Sequence, residues 1–311
     1  MKEVVILSGK GGTGKTSVTA SFAALAHNAV MADCDVDAAD LHLVLSPEVR
    51  RRETFVQGNL ANVRTDACDA CGRCLGVCRF GAVRMEGGRA VIDPLSCEGC
   101  GVCVWNCPRK AIDFPERECG EWFVSETRFG PMVHARLRAA AENSGKLVSL
   151  VRREARREAE EGKRELLISD GPPGVGCPVI ASLTGADATV IVTEPTMSGE
   201  HDMRRVLELA QHFKVPAYLC VNKWDINPAM ALRIERLAAQ NGVVALGRIS
   251  YDSGVTEAQV RGVTVVEYDK GAAAAEIRSI FGALCSALKS DARKSENDPK
   301  YKQTLKEDIR T

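Results

Sequence analysis

The sequence predicts an α/β fold: a mostly parallel sheet with helices on both faces, carrying a small inserted α+β domain rich in cysteine. Three observations predict it. Short apolar runs alternate with helix-period segments along most of the chain, the pattern of a parallel sheet covered on both sides. The first run, Val4-Val5-Ile6-Leu7, leads through a glycine-rich turn into a helical stretch from Ser17 to Ala26. Eight cysteines then crowd into residues 68–107 in two similar runs.

The turn reads Gly9-Lys10-Gly11-Gly12-Thr13-Gly14-Lys15-Thr16. Strand, glycine turn and helix are the context of a phosphate-binding loop. Glycines let successive backbone N–H groups face a polyphosphate, and the helix N-terminus adds partial positive charge. Lys15 is placed to reach the β and γ phosphates and the Thr16 hydroxyl to hold Mg²⁺. The competing reading, a glycine turn without a ligand, does not account for the complete GxxxxGK[ST] spacing. A second strand over residues 29–33 ends among Asp33, Asp35, Asp37 and Asp40. Carboxylates at the end of a strand beside such a loop sit where Mg²⁺ and the attacking water sit. Asp37 and Asp40 also read as solvated loop residues; Asp35 less so.

The cysteine runs are Cys68-x2-Cys71-x2-Cys74-x3-Cys78 and Cys97-x2-Cys100-x2-Cys103-x3-Cys107-Pro108, a repeat of period 29 that also matches Gly72 with Gly101 and Ala82-Val83 with Ala111-Ile112. This is the pattern of bacterial two-cluster ferredoxins, in which the fourth cysteine of each run ligates the other cluster. One [4Fe–4S] cluster is therefore expected on Cys68, Cys71, Cys74 and Cys107, and the other on Cys97, Cys100, Cys103 and Cys78. Zinc is the alternative, but zinc sites pair CxxC units across a longer gap and use fewer cysteines. Arg79 stands where the pattern has a proline, a turn device and not a ligand.

Downstream, Trp122–Val124 and Met132–Leu137 flank Gly130-Pro131 as a hairpin, and Ser144 can cap a helix from Gly145 to Glu161 whose charges read as a solvated face. Residues 165–170 form a strand ending in Asp170, followed by Gly171-Pro172-Pro173-Gly174, expected to be a mobile loop that senses the γ-phosphate. Strands are expected at 188–193, 217–222 and 243–249, and helices at 199–213, 228–240 and 272–288.

The chain has 311 residues, 45% hydrophobic and 26% charged, with zero formal net charge, enough for one large and one small domain. The neutral balance favours neither a nucleic-acid nor a membrane partner. Met1-Lys2-Glu3 runs straight into the first strand and no apolar run is long enough to span a bilayer, so a cytoplasmic protein is expected. In a reducing compartment, thirteen cysteines imply metal or redox chemistry rather than disulfides.

The extra Lys10 resembles the deviant Walker A of the MinD/ParA/Mrp/nitrogenase-iron-protein class, and Asp33-Cys34-Asp35-Val36-Asp37, Asp170-Gly171-Pro172-Pro173-Gly174 and Thr193-Glu194-Pro195-Thr196 agree with it. With the cysteine repeat, the chain resembles MinD-superfamily P-loop ATPases with an inserted ferredoxin domain. That implies an ATPase domain over residues 1–61 and 119–288, a two-cluster ferredoxin domain over 62–118 and a charged tail over 289–311. It implies ATP, bound through Gly11, Gly12, Thr13, Gly14, Lys15, Thr16 and Ser17, with Asn222 at the adenine. Asn222-Lys223-Trp224-Asp225 also matches the guanine-reading NKxD, so GTP is the competing nucleotide. Asp35 would orient or deprotonate the attacking water and Asp170 would stand in the outer shell of Mg²⁺. The resemblance implies a homodimer, or a heterodimer with a related ATPase, in which Lys10 reaches the partner's phosphates, with an exposed loop lysine as the alternative. Cys177 lies seven residues after Asp170, where the nitrogenase iron protein has a cluster ligand. Cys119 is the nearest candidate for a second such ligand, and a small buried thiol is the favoured reading for Cys177, as for Cys34, Cys220 and Cys285. The expected function is an ATPase whose nucleotide state gates electron transfer through its clusters to a protein partner. An Mrp-like carrier or assembly factor for metal cofactors is the alternative, and a positioning ATPase like MinD or ParA the third.

Overall fold

The computed structural model describes residues 1–138 and 144–297. In chain order the elements are β1 (Lys2–Ser8), α1 (Lys15–Leu25), β2 (Ala29–Asp33), α2 (Leu41–Leu45), β3 (Glu48–Asn59), β4 (Asn62–Val63), α3 (Arg73–Val77), β5 (Val83–Glu86), β6 (Arg89–Ile92), α4 (Val102–Trp105), β7 (Ile112–Asp113), β8 (Glu116–Thr127) and β9 (Gly130–Leu137). Then follow α5 (Ser144–Glu161), β10 (Leu166–Pro173), α6 (Cys177–Leu183), β11 (Ala188–Thr193), α7 (Met197–His212), β12 (Ala217–Asn222), α8 (Pro228–Gln240), β13 (Val244–Ile249), α9 (Ser253–Val260), α10 (Val265–Tyr268) and α11 (Ala272–Asn297). The chain divides into two compact units: residues 1–52, 123–136 and 144–311, and residues 53–122 with 137–143. The second begins nine residues before, and its main segment ends four after, the 62–118 span read from the cysteines.

The described strands of the large sheet run in the order β13-β12-β11-β1-β10-β2-β9-β8-β3, and the pairs from β13 through to β2, as well as β2 with β9, are parallel. Alternate residues of β1 enter different cores. Val4 and Ile6 pack with α1, α10 and α11; Val5 and Leu7 pack with α6, α7 and α8. An apolar run without alternation thus follows from a sheet covered on both faces. Each fully buried residue of this kind contributes about 1.5–3 kcal/mol.

Several elements differ from the sequence expectation. β10 does not give way to a loop at Asp170 but runs on to Pro173, pairing with Ser8 of β1. A Cβ at Gly171 would lie 2.4 Å from Leu7 Cδ2, so glycine lets the two strands stay close there. β3, twelve residues long, was not expected; it has few buried side chains and its exposed charges hide the period-2 signal. The last helix passes residue 288 and reaches Asn297; the rest of the expected tail, 298–311, lies outside the described residues. The charges of α5 are not all solvated. Arg152 and Arg156 both pair with Glu3 of β1, at 2.6 and 2.5 Å, and Arg152 also donates to the carbonyls of Ala181 and Thr184 at the end of α6. Arg157–Glu161 is an exposed pair of the expected i,i+4 kind.

The second unit holds two small antiparallel ladders, β4 with β7 and β5 with β6. Its central cluster is slight: Ala61, Cys74, Val83, Ala90 and Ile112 are buried together, with other cysteines packed around them, while Phe55 and Trp122 are its large buried side chains outside that cluster.

Candidate functional site

β1 lies between β10 and β11, where the order of connections reverses, and the crevice past the carboxyl ends of such strands is where α/β sheets bind ligands. The phosphate loop leaves β1 there. Gly12 and Gly14 take φ of 78° and 87°. Gly14 is favoured on two counts, since a Cβ there would also lie 2.3 Å from Asn222 Nδ2 and push that amide aside. That Nδ2 donates to Thr13 O at 2.7 Å, and Lys223 N–H donates to Asn222 Oδ1 at 3.0 Å. One end of the Asn222 amide, expected at the adenine, therefore holds the loop and the other accepts from its own neighbour, while the residue lines the nucleotide cavity. The Thr13 hydroxyl is buried and meets no partner among the described residues.

Register across β1, β10 and β2 puts Ile6, Asp170 and Asp33 side by side. Asp170 accepts from Thr16 Oγ1 at 2.7 Å and Thr19 Oγ1 at 2.8 Å, and stands 2.9 Å from Lys15 Nζ, which is 3.7 Å from Asp35. Lys15 is buried, which works against its charge, but Asp170 and then Asp35 outweigh this and raise its pKa. Burial pushes Asp35 up to about 6, with Lys15 opposing and Asp170 adding. Asp33, fully buried, is pushed well above the carboxylate range by burial and by Asp170; its oxygens accept the N–H groups of Asp35 and Leu41. It shapes the turn that presents Asp35. Lys10 reaches Ser198 Oγ at 3.2 Å and Glu194 at 3.3 Å, and Glu194 also pairs with Lys223 at 2.6 Å.

The glycine loop, Lys15, Thr16, Ser17, Asp35 and Asn222 line a cavity of about 1740 Å³, including the solvent at its mouth; Lys10 and Asp170 are not among its lining residues. Its far wall, Tyr251, Val255, Thr256 and Gln259, was not singled out from the sequence. The available signal was position: the segment follows the last strand at its carboxyl end. Gln259 Nε2 donates to Ser17 Oγ at 2.8 Å. Asp225, which would read guanine, is not among the lining residues and accepts the Tyr251 N–H at 2.7 Å. Its carboxylate is committed to the loop, in keeping with ATP rather than GTP.

In the second unit, Cys68, Cys71, Cys74 and Cys107 line one cavity of about 350 Å³, and Cys78, Cys97, Cys100 and Cys103 line another of about 350 Å³. Each of the twelve residues lining the second is displaced by 29 positions from one lining the first, out to Ala61 with Ala90 and Val63 with Ile92. The repeat is thus longer than the sequence alone suggested. Its backbone repeats as well: positive φ recurs at Ala70 and Gly99, Gly72 and Gly101, and Gly81 and Lys110. Burial, and the neighbouring Cys68 and Cys71, push the Cys74 thiol up; burial with Cys97 and Cys100 does the same for Cys103. Soft thiolates gathered around a hollow fit an iron–sulfur cluster. Among the described residues no three His, Cys, Asp or Glu side chains converge as a single ion requires.

The remaining cysteines separate by burial. Cys177, expected to be buried, is exposed at the first residue of α6. Cys119 is buried and its thiol donates to Gln57 O at 3.3 Å. Cys34 and Cys220 are buried, and burial pushes both thiols up, Cys220 to about 12; Cys285 is half-buried.

The CobQ/CobB/MinD/ParA nucleotide binding domain matches residues 4–265. An uncharacterized protein of Methanocaldococcus jannaschii, MJ0578, is 35% identical over 228 residues, covering 72% of this chain and 79% of that one. An iron-sulfur cluster carrier protein of Pyrococcus abyssi is 24% identical over 305 residues, covering 92% and 86%. The crystal structure of the Pyrococcus furiosus cell division ATPase MinD is similar in fold, with a TM-score of 0.55 and 17% identity over 92% of this chain and 99% of that one. No described helix is long and apolar enough to cross a membrane.

Proposed function

The chain belongs to the CobQ/CobB/MinD/ParA nucleotide-binding family, and on that premise we propose that it is an ATPase whose nucleotide state gates electron transfer through two resident [4Fe–4S] clusters. The observation that carries this is the pair of four-cysteine cavities, each closed by a cysteine from the other half of the repeat. Four ligands from one chain suit a cluster that stays, and when bound each supplies a one-electron store.

In the nucleotide site, the glycine loop binds phosphate oxygens through backbone N–H groups, and Lys15 turns from its carboxylates to the β and γ phosphates. Thr16 and Asp170 would hold Mg²⁺, directly or through water, where it would neutralise phosphate charge; Asp170 is already fixed by Thr16 and Thr19. Asp35 orients the attacking water and takes its proton, and a carboxylate at about 6 is matched to that task near neutral pH. Lys10 leaves Glu194 to reach the phosphates of a partner subunit, a cation supplied in trans like an arginine finger.

A second reading, a carrier of iron–sulfur clusters, is favoured by the relative of that name. One experiment separates them. Anaerobic protein is expected to hold about eight iron atoms per chain. The gating reading expects that content to survive ATP turnover in the presence of an apo-ferredoxin acceptor, while the rate of oxidation by a dye differs between ADP and a non-hydrolysable ATP analogue. Iron lost to the acceptor in step with ATP hydrolysis would replace gating with carriage.

A further inference from the structure

We propose that the two cluster sites are electrically unequal, so that a chain holding a single electron holds it at the site of Cys68, Cys71, Cys74 and Cys107. This rests on the reading that both cavities hold [4Fe–4S] clusters.

The repeat supplies its own control. The cavities match in ligands, in volume and in one acid each, Asp69 in the first and Glu98 in the second. They differ in charge at two repeat positions. Arg73 lines the first cavity where Val102 lines the second, and Arg109 lines the first where Phe80 lines the second. Arg109 Nε stands 3.0 Å from Asp69 Oδ2, so the first site's acid is neutralised and Arg73 is in excess. Among the described residues lining the second site, Glu98 has no cation beside it. The lining of the first site is net positive and that of the second net negative; Arg79, next to Cys78, and Lys110, next to Arg109, each add one cation outside the linings and leave the difference in place.

Reduction adds one negative charge to a cluster, and nearby cations stabilise it while a nearby carboxylate opposes it. These side chains are exposed, Arg109 at 64%, so solvent and salt screen the effect. The direction survives screening because both differences have the same sign. In a half-reduced chain the electron therefore passes from the second cluster, which returns to its oxidised state, to the first, with no outside reagent.

The test is an EPR-monitored redox titration of the full-length protein, purified without oxygen and reduced with dithionite at low ionic strength. Two one-electron steps are expected, with at least a tenfold preference for the first site, which is about 59 mV. Arg109→Phe should lower the higher step, and Phe80→Arg should raise the lower one. Arg109→Lys keeps the charge and should leave the higher step in place; its loss there would make Arg109 a packing residue and overturn the electrostatic account. Two coincident steps from protein carrying both clusters would overturn the inference while leaving the two-cluster reading intact. Protein without two cluster signals would overturn the reading beneath it.

Discussion

The two units of this chain are built on opposite terms. The nucleotide-binding unit has a sheet packed on both faces, with cores led by residues such as Phe22, Leu7 and Ile6, all 0–1% exposed. The central cluster of the cysteine-rich unit holds two alanines, a valine, an isoleucine and a cysteine, and Phe55 and Trp122 are buried outside it. A folded unit of this size with so small a core needs staples, and disulfides are absent among the described cysteines. The large unit is held by packing, and on the two-cluster reading the small one is held by its clusters.

The largest expected effect separates them outright. Stripping iron with a chelator under reducing conditions should unfold residues 53–122, because cluster binding there is also folding free energy. The nucleotide-binding unit should persist. Limited proteolysis should cut within the cysteine repeat and leave a fragment that binds a fluorescent ATP analogue. Intact protein after iron removal would erase the contrast.

Next come the two lysines of the loop. Lys15→Ala should abolish nucleotide binding, since Lys15 is the buried cation among Asp170 and Asp35. Lys10→Ala should bind ATP nearly as well and lose turnover, because in the isolated chain it rests on Glu194 outside that cluster. Equal loss of binding in both would remove the trans role from Lys10. Turnover should also show an acid limb in kcat/KM near pH 6, falling as Asp35 is protonated and absent in no wild-type preparation. A profile flat down to pH 5 would deny Asp35 the base role.

These sites differ in how much the sequence disclosed. The gathering of Lys15, Asp35 and Asp170, and of the eight cysteines around two hollows, was legible because such patterns fix residue type and spacing together. The strands at 29–33, 188–193 and 217–222 were legible because burial on both faces leaves unbroken apolar runs. Tyr251 and Gln259 were not, since a cavity wall assembled by topology leaves no local spacing. The burial of Arg152 was hidden for a related reason: its partner Glu3 lies 149 positions away, and in sequence it looks like one more charge on an amphipathic helix. That pair gives a test of the packed unit. Arg152→Met should cost about 3 kcal/mol, the low end for breaking a buried pair because Arg156 still faces Glu3. Glu3→Gln in the same chain should recover part of it, measured by urea unfolding. A cost below about 0.5 kcal/mol would place the pair with the surface bridges instead.

The smallest effect probes what a packed unit tolerates. His134 on β9 accepts or donates through Nε2 to Ser125 Oγ at 2.9 Å and stacks on Phe123, with ring centroids 4.9 Å apart. Burial, then His42 and Arg136, lower its pKa to about 4. The His42 ring stacks at 6.3 Å, so a proton on either ring opposes one on the other. The folded chain thus prefers neutral His134, while the unfolded chain takes up a proton near its ordinary 6.5. Stability from this residue is complete above about pH 6.5 and is lost as pH falls toward 4. Between pH 6.5 and 5 the loss amounts to about 2 kcal/mol. His134→Gln removes the titration and keeps a polar partner for Ser125. Its urea midpoint should lie below the wild type's at pH 7, and the gap should close by pH 5. A gap that stays constant with pH would mean that the histidine is protonated equally in both states, and that the sheet around it is wetter than the core it borders.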